Sequence, residues 1–262
     1  MAIKNPELGV KMSAEEAKAY VDHLNAKVLR RWEERVTRGA FMKALREGSL
    51  PLPTIRLFFK NWGAFTVEIN TLIAASYHKH LGFFKRHPDL LGPFGAKVAD
   101  EFMHPKPPGH ILVMLHTAEA LGLSQEEVLR QPMLAEARAV LDFKRSLLWE
   151  GSVAEWWFSC LTEEPIGHWA GMWYEALTAR YRFSREQATY FSTHEEADLS
   201  EHEGVMGHGS FNRAVMERIL RDGYADMREG YTLEYCALTA VDLYGIMHRG
   251  VYEHGAALEG KD

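Results

Sequence analysis

The sequence predicts an all-α protein, and three observations carry that expectation. Apolar residues recur at three- and four-residue spacing along most of the chain, no stretch alternates with a sustained period of two between turns, and serine-led capping boxes precede several apolar runs. Ser13 with Glu16 opens the first helix, on which Ala17, Tyr20, Val21, Leu24, Val28 and Leu29 share a face until about Gly39. A short helix through Phe41, Met42 and Leu45 follows, and the Gly, Ser and Pro of "EGSLPLP" make a loop. A long apolar-periodic run spans about 54–80, and another about 94–104, where Pro105, Pro107, Pro108 and Gly109 interrupt it. Helix resumes over 111–121. Ser124 with Glu127 caps a short helix, and Pro132 opens one that reaches about Trp149. Gly151 breaks the chain before "SVAEWWFSCLT" and "EEPIGHWAGMWYEALTARY". Ser184 with Gln187 predicts the start of a helix carrying "THEEADLSEHEG"; Gly204, Gly207 and Gly209 loosen the next stretch, and the last helices read as 211–220 and 233–253. That makes about eight to ten helices by periodicity. No repeat, low-complexity segment or Gly/Ser/Pro-rich linker divides them, so a single domain over 1–262, with its core at about 13–255, is the simplest organisation.

Composition narrows the function classes. With 30 Lys and Arg against 36 Asp and Glu, the net charge of −6 provides no positive field for a phosphate backbone, which argues against nucleic-acid binding. The 47 % apolar content argues against disorder. Cys160 and Cys236 form no CxxC pair and no disulfide framework. No segment has the roughly 18 continuous apolar residues of a membrane span, and Met1 to Met12 contains no hydrophobic signal-peptide centre. A cytoplasmic protein acting on a small molecule, with no nucleic-acid or membrane partner, is expected; a homodimer is compatible with this reading.

Thirteen histidines stand out, and their placement among carboxylates carries the chemistry. In His194-Glu195-Glu196-Ala197-Asp198-Leu199-Ser200-Glu201-His202, His194 and Asp198 stand four apart on one helix face. On a continued helix Glu201 would lie about 20° to one side of His194 and His202 about 80° to the other. Glu101 and His104 stand three apart on an earlier helix, and Glu163, beside Glu164, follows the aromatic run Trp156-Trp157-Phe158. Such carboxylate and imidazole sets bind Fe(II), Mn(II) or Zn(II). Only one Glu-x-x-His is present, so the ferritin-type pair of such motifs is not matched. Read alone, His194 and Asp198 also suit a solvated i,i+4 pair worth a few tenths of a kcal/mol. Glu68, on an apolar helix, needs a partner if buried and reads as a salt-bridge member or a base near the site. His78, His80, His87, His248 and His254 read as surface groups, His168 as a histidine of the core or behind a ligand, and His208, in a Gly-rich stretch near the site segment, as a lesser candidate for the pocket. Trp156, Trp157, Trp169, Trp173 and Tyr174 read as core or pocket wall, Met103, Met114 and Met172 as core fillers, and Tyr77 and Tyr190 as pocket groups.

Taken in order, these segments resemble the haem-oxygenase-like di-iron oxidases and oxygenases. The resemblance rests on Glu101 with His104, on Glu163 in "LTEEPIGHW", and on His194 and Asp198; it extends over about 15–255, with "LREGSL" before the long second helix and "LGLSQEEV" after the first ligand helix. It implies a haem-oxygenase-like helical bundle in which two Fe(II) activate O2 to oxidise a small amino-acid-like or carboxylate-bearing substrate, by N-oxygenation, desaturation or C–C cleavage, in a biosynthetic pathway. It also implies that Glu101, His104, Glu163 and His194 serve one iron, and that Glu101, Glu163, Asp198 and a final residue serve the other. The family spacing after Asp198 lands on Glu201, while the histidine is one later; a π-bulge would bring in His202, and Glu201 is the alternative. Pro105 pushes His104 out of helical geometry, so His110 and His116 are candidates to take its place. Three carboxylates against two Fe(II) leave a formal charge of about +1, which favours an anionic substrate group. The same superfamily includes thiaminase-II-like proteins, for which Cys160 would be the candidate nucleophile, and pyrroloquinoline-quinone-synthase-like oxidases. A non-catalytic binding protein on this scaffold is the third reading.

Overall fold

The computed structural model describes residues 3–103, 109–200, 206–224 and 226–258. Among them there is no strand. Thirteen α-helices follow in order: α1 Ala14–Trp32, α2 Ala40–Glu47, α3 Leu52–Lys79, α4 Leu81–Arg86, α5 Leu91–Phe102, α6 Gly109–Glu119, α7 Gln125–Arg130, α8 Ala135–Trp149, α9 Val153–Ser159, α10 Glu163–Arg180, α11 Thr189–Leu199, α12 His208–Asp222 and α13 Leu233–Ala256. The all-α expectation holds, and the count exceeds it because short elements such as α4 and α9 stand apart from their neighbours. The capping boxes at Ser13/Glu16 and Ser124/Glu127 form as read. At Ser184 the reciprocal bonds with Gln187 also form, but α11 begins only at Thr189, after a turn. A π-turn does occur, at Glu33–Thr37 at the end of α1, away from the candidate ligands.

The 28-residue α3 packs against α8 and α13 and brings its aromatic face to α10 and α11. Phe58 stacks on Trp173 at 4.5 Å, Trp173 lies parallel to Phe191 at 5.0 Å, and Trp62 meets Trp169 at 4.8 Å. Such pairs contribute about 0.5–1.5 kcal/mol each beyond the area they bury. Two of the indoles also find acceptors: Trp62 Nε1 donates to the Tyr190 hydroxyl at 2.7 Å and Trp169 Nε1 to His248 Nε2 at 3.0 Å. Trp156 and Trp157 are buried as expected.

Several single-residue expectations are corrected. His80 and His248 are buried, and His87 pairs with Asp222 at 2.9 Å, so none of the three is a free surface group. His168 is exposed on the outer face of α10. Met103 follows the last turn of α5 and is also exposed, whereas Met114 is buried. Glu68 is a salt-bridge member, held between Arg138 at 3.0 Å and Arg145 at 2.7 Å. No helix is long and apolar enough to cross a membrane, among the described residues.

Candidate metal centre

Three helix junctions bring the carboxylates and imidazoles together. α5 carries Lys97, Asp100 and Glu101 in its last two turns and ends at Phe102. Gly109 then starts α6 with φ +81°, and a Cβ there would lie 2.6 Å from the Glu101 carbonyl oxygen. Only glycine lets α6 start this close to the end of α5, which sets His110 beside Glu101. Glu163 is the first residue of α10, and His194 and Asp198 stand one turn apart on α11. α10 and α11 approach closely at Gly167, where a Cβ would sit 2.8 Å from the Asp198 Cβ.

α11 then stops. Leu199 is its last residue and Ser200 is extended, at φ −99° and ψ 146°. The next helix supplies a histidine: His208 opens α12 directly after Gly207, and a Cβ on Gly207 would meet the Ser200 carbonyl at 2.7 Å.

These junctions assemble two groups of three: Glu101, His110 and His194, and beside them Glu163, Asp198 and His208. Within each group one ligand atom per residue lies within 4.8 Å of the others. The groups adjoin, since the His110 ring lies 4.4 Å from that of His194 and 6.3 Å from that of His208. Asn70 on α3 donates to Glu101 Oε2 at 2.7 Å, and His110 Nδ1 is 3.4 Å from the same oxygen. Tyr190 packs its ring 4.6 Å from that of His194. His208 meets Asp198 Oδ1 through Nδ1 at 3.0 Å and Asp100 Oδ2 through Nε2 at 3.1 Å.

Burial dominates the electrostatics. It would raise the Glu101 carboxyl, but the imidazole of His110 outweighs it and holds that group well below the usual carboxylate range. Burial keeps His194 neutral and pushes the Asp198 carboxyl up, against the pull of its bond to His208. For His208, burial and Lys97 oppose a second proton, but the Asp100 and Asp198 carboxylates prevail and raise its pKa. The Lys97 ammonium, 3.1 Å from Glu163 Oε1, keeps its proton despite burial because Glu163, Asp198 and Glu101 surround it.

Four of the residues singled out in the sequence thus converge: Glu101, Glu163, His194 and Asp198. His104, Glu201 and His202 lie outside the described residues. His110, named as a substitute for His104, stands in the cluster, while His116 is exposed on α6. Sequence reasoning left His208 outside the ligand set and missed Lys97, Asp100 and Asn70 entirely. The four-residue step from Lys97 to Glu101 was the available signal for the lysine; Asp100 and Asn70 have none. Cys160 gives a nucleophile no support: its Sγ donates to the Trp156 carbonyl and burial pushes the thiol up.

The donor set fits a divalent transition metal. It is all nitrogen and oxygen, which suits iron, manganese or zinc better than softer ions. His194 Nδ1 and Asp198 Oδ2, one in each group, are buried without a hydrogen-bond partner. Buried polar atoms without a partner are costly, by about 1–3 kcal/mol each, and metal coordination would satisfy both.

Over residues 95–235, just over half of the chain, the sequence matches the model of a family described as iron-containing redox enzymes. No curated protein matches it. By fold the chain is similar to the crystal structure of a TenA homolog from Pseudomonas syringae, with a TM-score of 0.66 and 12 % identity over 96 % of this chain and 100 % of that one. A TenA family transcription regulator from a Silicibacter species gives a TM-score of 0.58 at 17 % identity, over 89 % of this chain and 95 % of that one. A CADD-like protein of unknown function from Nostoc punctiforme gives 0.56 at 11 %, over 92 % and 98 %. Identities this low show a shared fold, the all-α bundle implied by the haem-oxygenase-like resemblance.

Proposed function

Since the chain belongs to this family of iron-containing redox enzymes, we propose that its two adjoining groups hold two Fe(II) ions and that it is an O2-dependent oxidase or oxygenase of a small, carboxylate-bearing substrate. The observation that carries this reading is the pairing of two buried nitrogen and oxygen triplets, each with an unpartnered ligand atom. Glu101, His110 and His194 would hold one ion, and Glu163, Asp198 and His208 the other. When bound, iron would supply the electrons and the coordination positions that O2 chemistry requires.

The protein's own groups have separable tasks. Asn70 fixes the Glu101 carboxylate by donating to Oε2, and Asp100 anchors His208 through Nε2, leaving Nδ1 turned towards Asp198 and the triplet. Such outer partners set ring orientation and ligand basicity. The Tyr190 ring and the wall of Trp62, Trp169 and Phe191 keep water from the His194 side. The Lys97 ammonium and the Asp100 carboxylate offset one another, so the formal charge of about +1 counted from the sequence stands and favours an anionic substrate group.

Anaerobic titration with Fe(II) tests the reading, followed by O2-uptake measurements with a panel of amino acids and fatty acids. Two ions per chain, and uptake accelerated by a carboxylate-bearing substrate, are expected. Failure to bind stoichiometric Fe(II), with Glu163→Ala indistinguishable from the parent, would sink it.

A further inference from the structure

Lys97 is not one of the six ligand candidates, yet its ammonium lies among them. It stands one turn before Glu101 on α5, so both side chains leave the helix on the same face. Only 2 % of the side chain is exposed. Its Nζ reaches Glu163 Oε1 at 3.1 Å, and Asp198 and Glu101 are its other acidic neighbours. No contact has hydrogen-bond alignment, since Nζ is buried without a hydrogen-bond partner. Charge, rather than directed bonding, accounts for this position. The other buried lysine nearby differs: Lys144 Nζ donates to the Ser159 carbonyl and hydroxyl, so its place is fixed by hydrogen bonds.

The two triplets are therefore unequal. In the first, Glu101 accepts a hydrogen bond from Asn70, and the His110 ring stands 3.4 Å from the same oxygen. In the second, Glu163 has the Lys97 ammonium against its carboxylate. A buried carboxylate stripped of its counter-charge is costly, and an ion entering beside an ammonium meets like-charge repulsion as well.

The geometry points to Lys97 as an internal cation that balances the Glu163–Asp198–His208 group and competes with a metal ion there, so that the Glu101–His110–His194 group fills first and Lys97 must leave Glu163 before the second ion binds. This rests on the reading of the triplets as metal-binding. Removing the ammonium takes a counter-charge from the unloaded protein and a repulsion from the loaded one, and both changes tighten the second ion.

Anaerobic calorimetric titration of the full chain with Mn(II) or Fe(II) tests this, using Lys97→Met, Lys97→Gln and Lys97→Arg beside the parent. The parent should bind a second ion at least about tenfold more weakly than the first, a difference of about 1.4 kcal/mol. Lys97→Met should tighten that second step by about tenfold or more while the first changes little, and Lys97→Arg, which keeps the charge, should not tighten it. Lys97→Gln gives the same readout should the methionine variant fold poorly. The melting temperature of the unloaded methionine or glutamine variant should fall and recover on metal addition. Two ions bound by the parent, with the second step unchanged in both neutral variants, would overturn the role of Lys97 and leave the metal reading standing. No binding by any form would overturn both.

Discussion

His208 and Asp198 meet through Nδ1 and Oδ1 at 3.0 Å, although α11 ends and α12 begins between them. The second triplet is thus completed across a helix junction. Gly207 makes the junction: a Cβ there would press on the Ser200 carbonyl at 2.7 Å. Gly207→Ala should destabilise the protein by about 1–3 kcal/mol, as overpacking does, and weaken the second metal step. Gly95→Ala, on the same helix as Glu101 but with open space around its Cβ, should be neutral or stabilising by up to about 1 kcal/mol. Denaturant unfolding of the two variants checks the contrast.

Asp100 acts on metal only through His208, which it holds at Nε2. At pH 9, where the extra proton on His208 no longer opposes the metal, Asp100→Ala should lower the affinity of the second ion by about 10–100-fold and leave the helical content unchanged. Calorimetric titration beside far-UV circular dichroism distinguishes this loss from misfolding.

Metal uptake should depend on pH through the same histidine. Asp100 and Asp198, prevailing over burial and Lys97, push His208 up to about 9, so at neutral pH both its ring nitrogens carry protons. A ligand nitrogen must lose its proton, so filling the second triplet should release about one proton per chain at pH 7, and the affinity should rise about tenfold per pH unit until about pH 9. Titrations in buffers of different ionisation enthalpy read the released proton directly. A pH-independent second step would mean that His208 is not a ligand.

Outside the two triplets, His248, which accepts from Trp169 of the aromatic wall, should make the fold acid-sensitive. It accepts from Trp169 at Nε2 and bonds the Tyr244 carbonyl through Nδ1, an arrangement that requires the neutral ring. Burial holds its pKa down at about 4, against an ordinary value of 6.5. The unfolded chain therefore takes up the proton first; stability is full above about 6.5 and declines as pH falls towards 4, by up to about 3 kcal/mol from this group. An imidazole resonance of His248 that titrates near 6.5 in the folded protein would refute this.

The fold was legible because helical periodicity and Ser-led caps are local signals. The run predicted over 54–80 is α3, and Ser13 with Glu16 caps α1 as read. Glu101, Glu163, His194 and Asp198 were legible because each stands in a recognisable run on its own helix. The histidines completing both triplets were harder to find for one physical reason: each comes directly after a chain break. His110 comes after Gly109 and His208 after Gly207, so neither keeps a helical phase with the carboxylates it joins. Asp100 and Asn70 enter the cluster through tertiary packing of α12 and α3 against α5, which no spacing along the chain encodes.

Two ions held side by side is the arrangement on which the proposed chemistry depends. Electron paramagnetic resonance of the protein loaded anaerobically with Mn(II) tests it most directly. An exchange-coupled pair signal, lost to an isolated-ion signal in Glu163→Ala, is the predicted result. An isolated-ion signal alone in the fully loaded parent, or no protein-bound Mn(II), would contradict it.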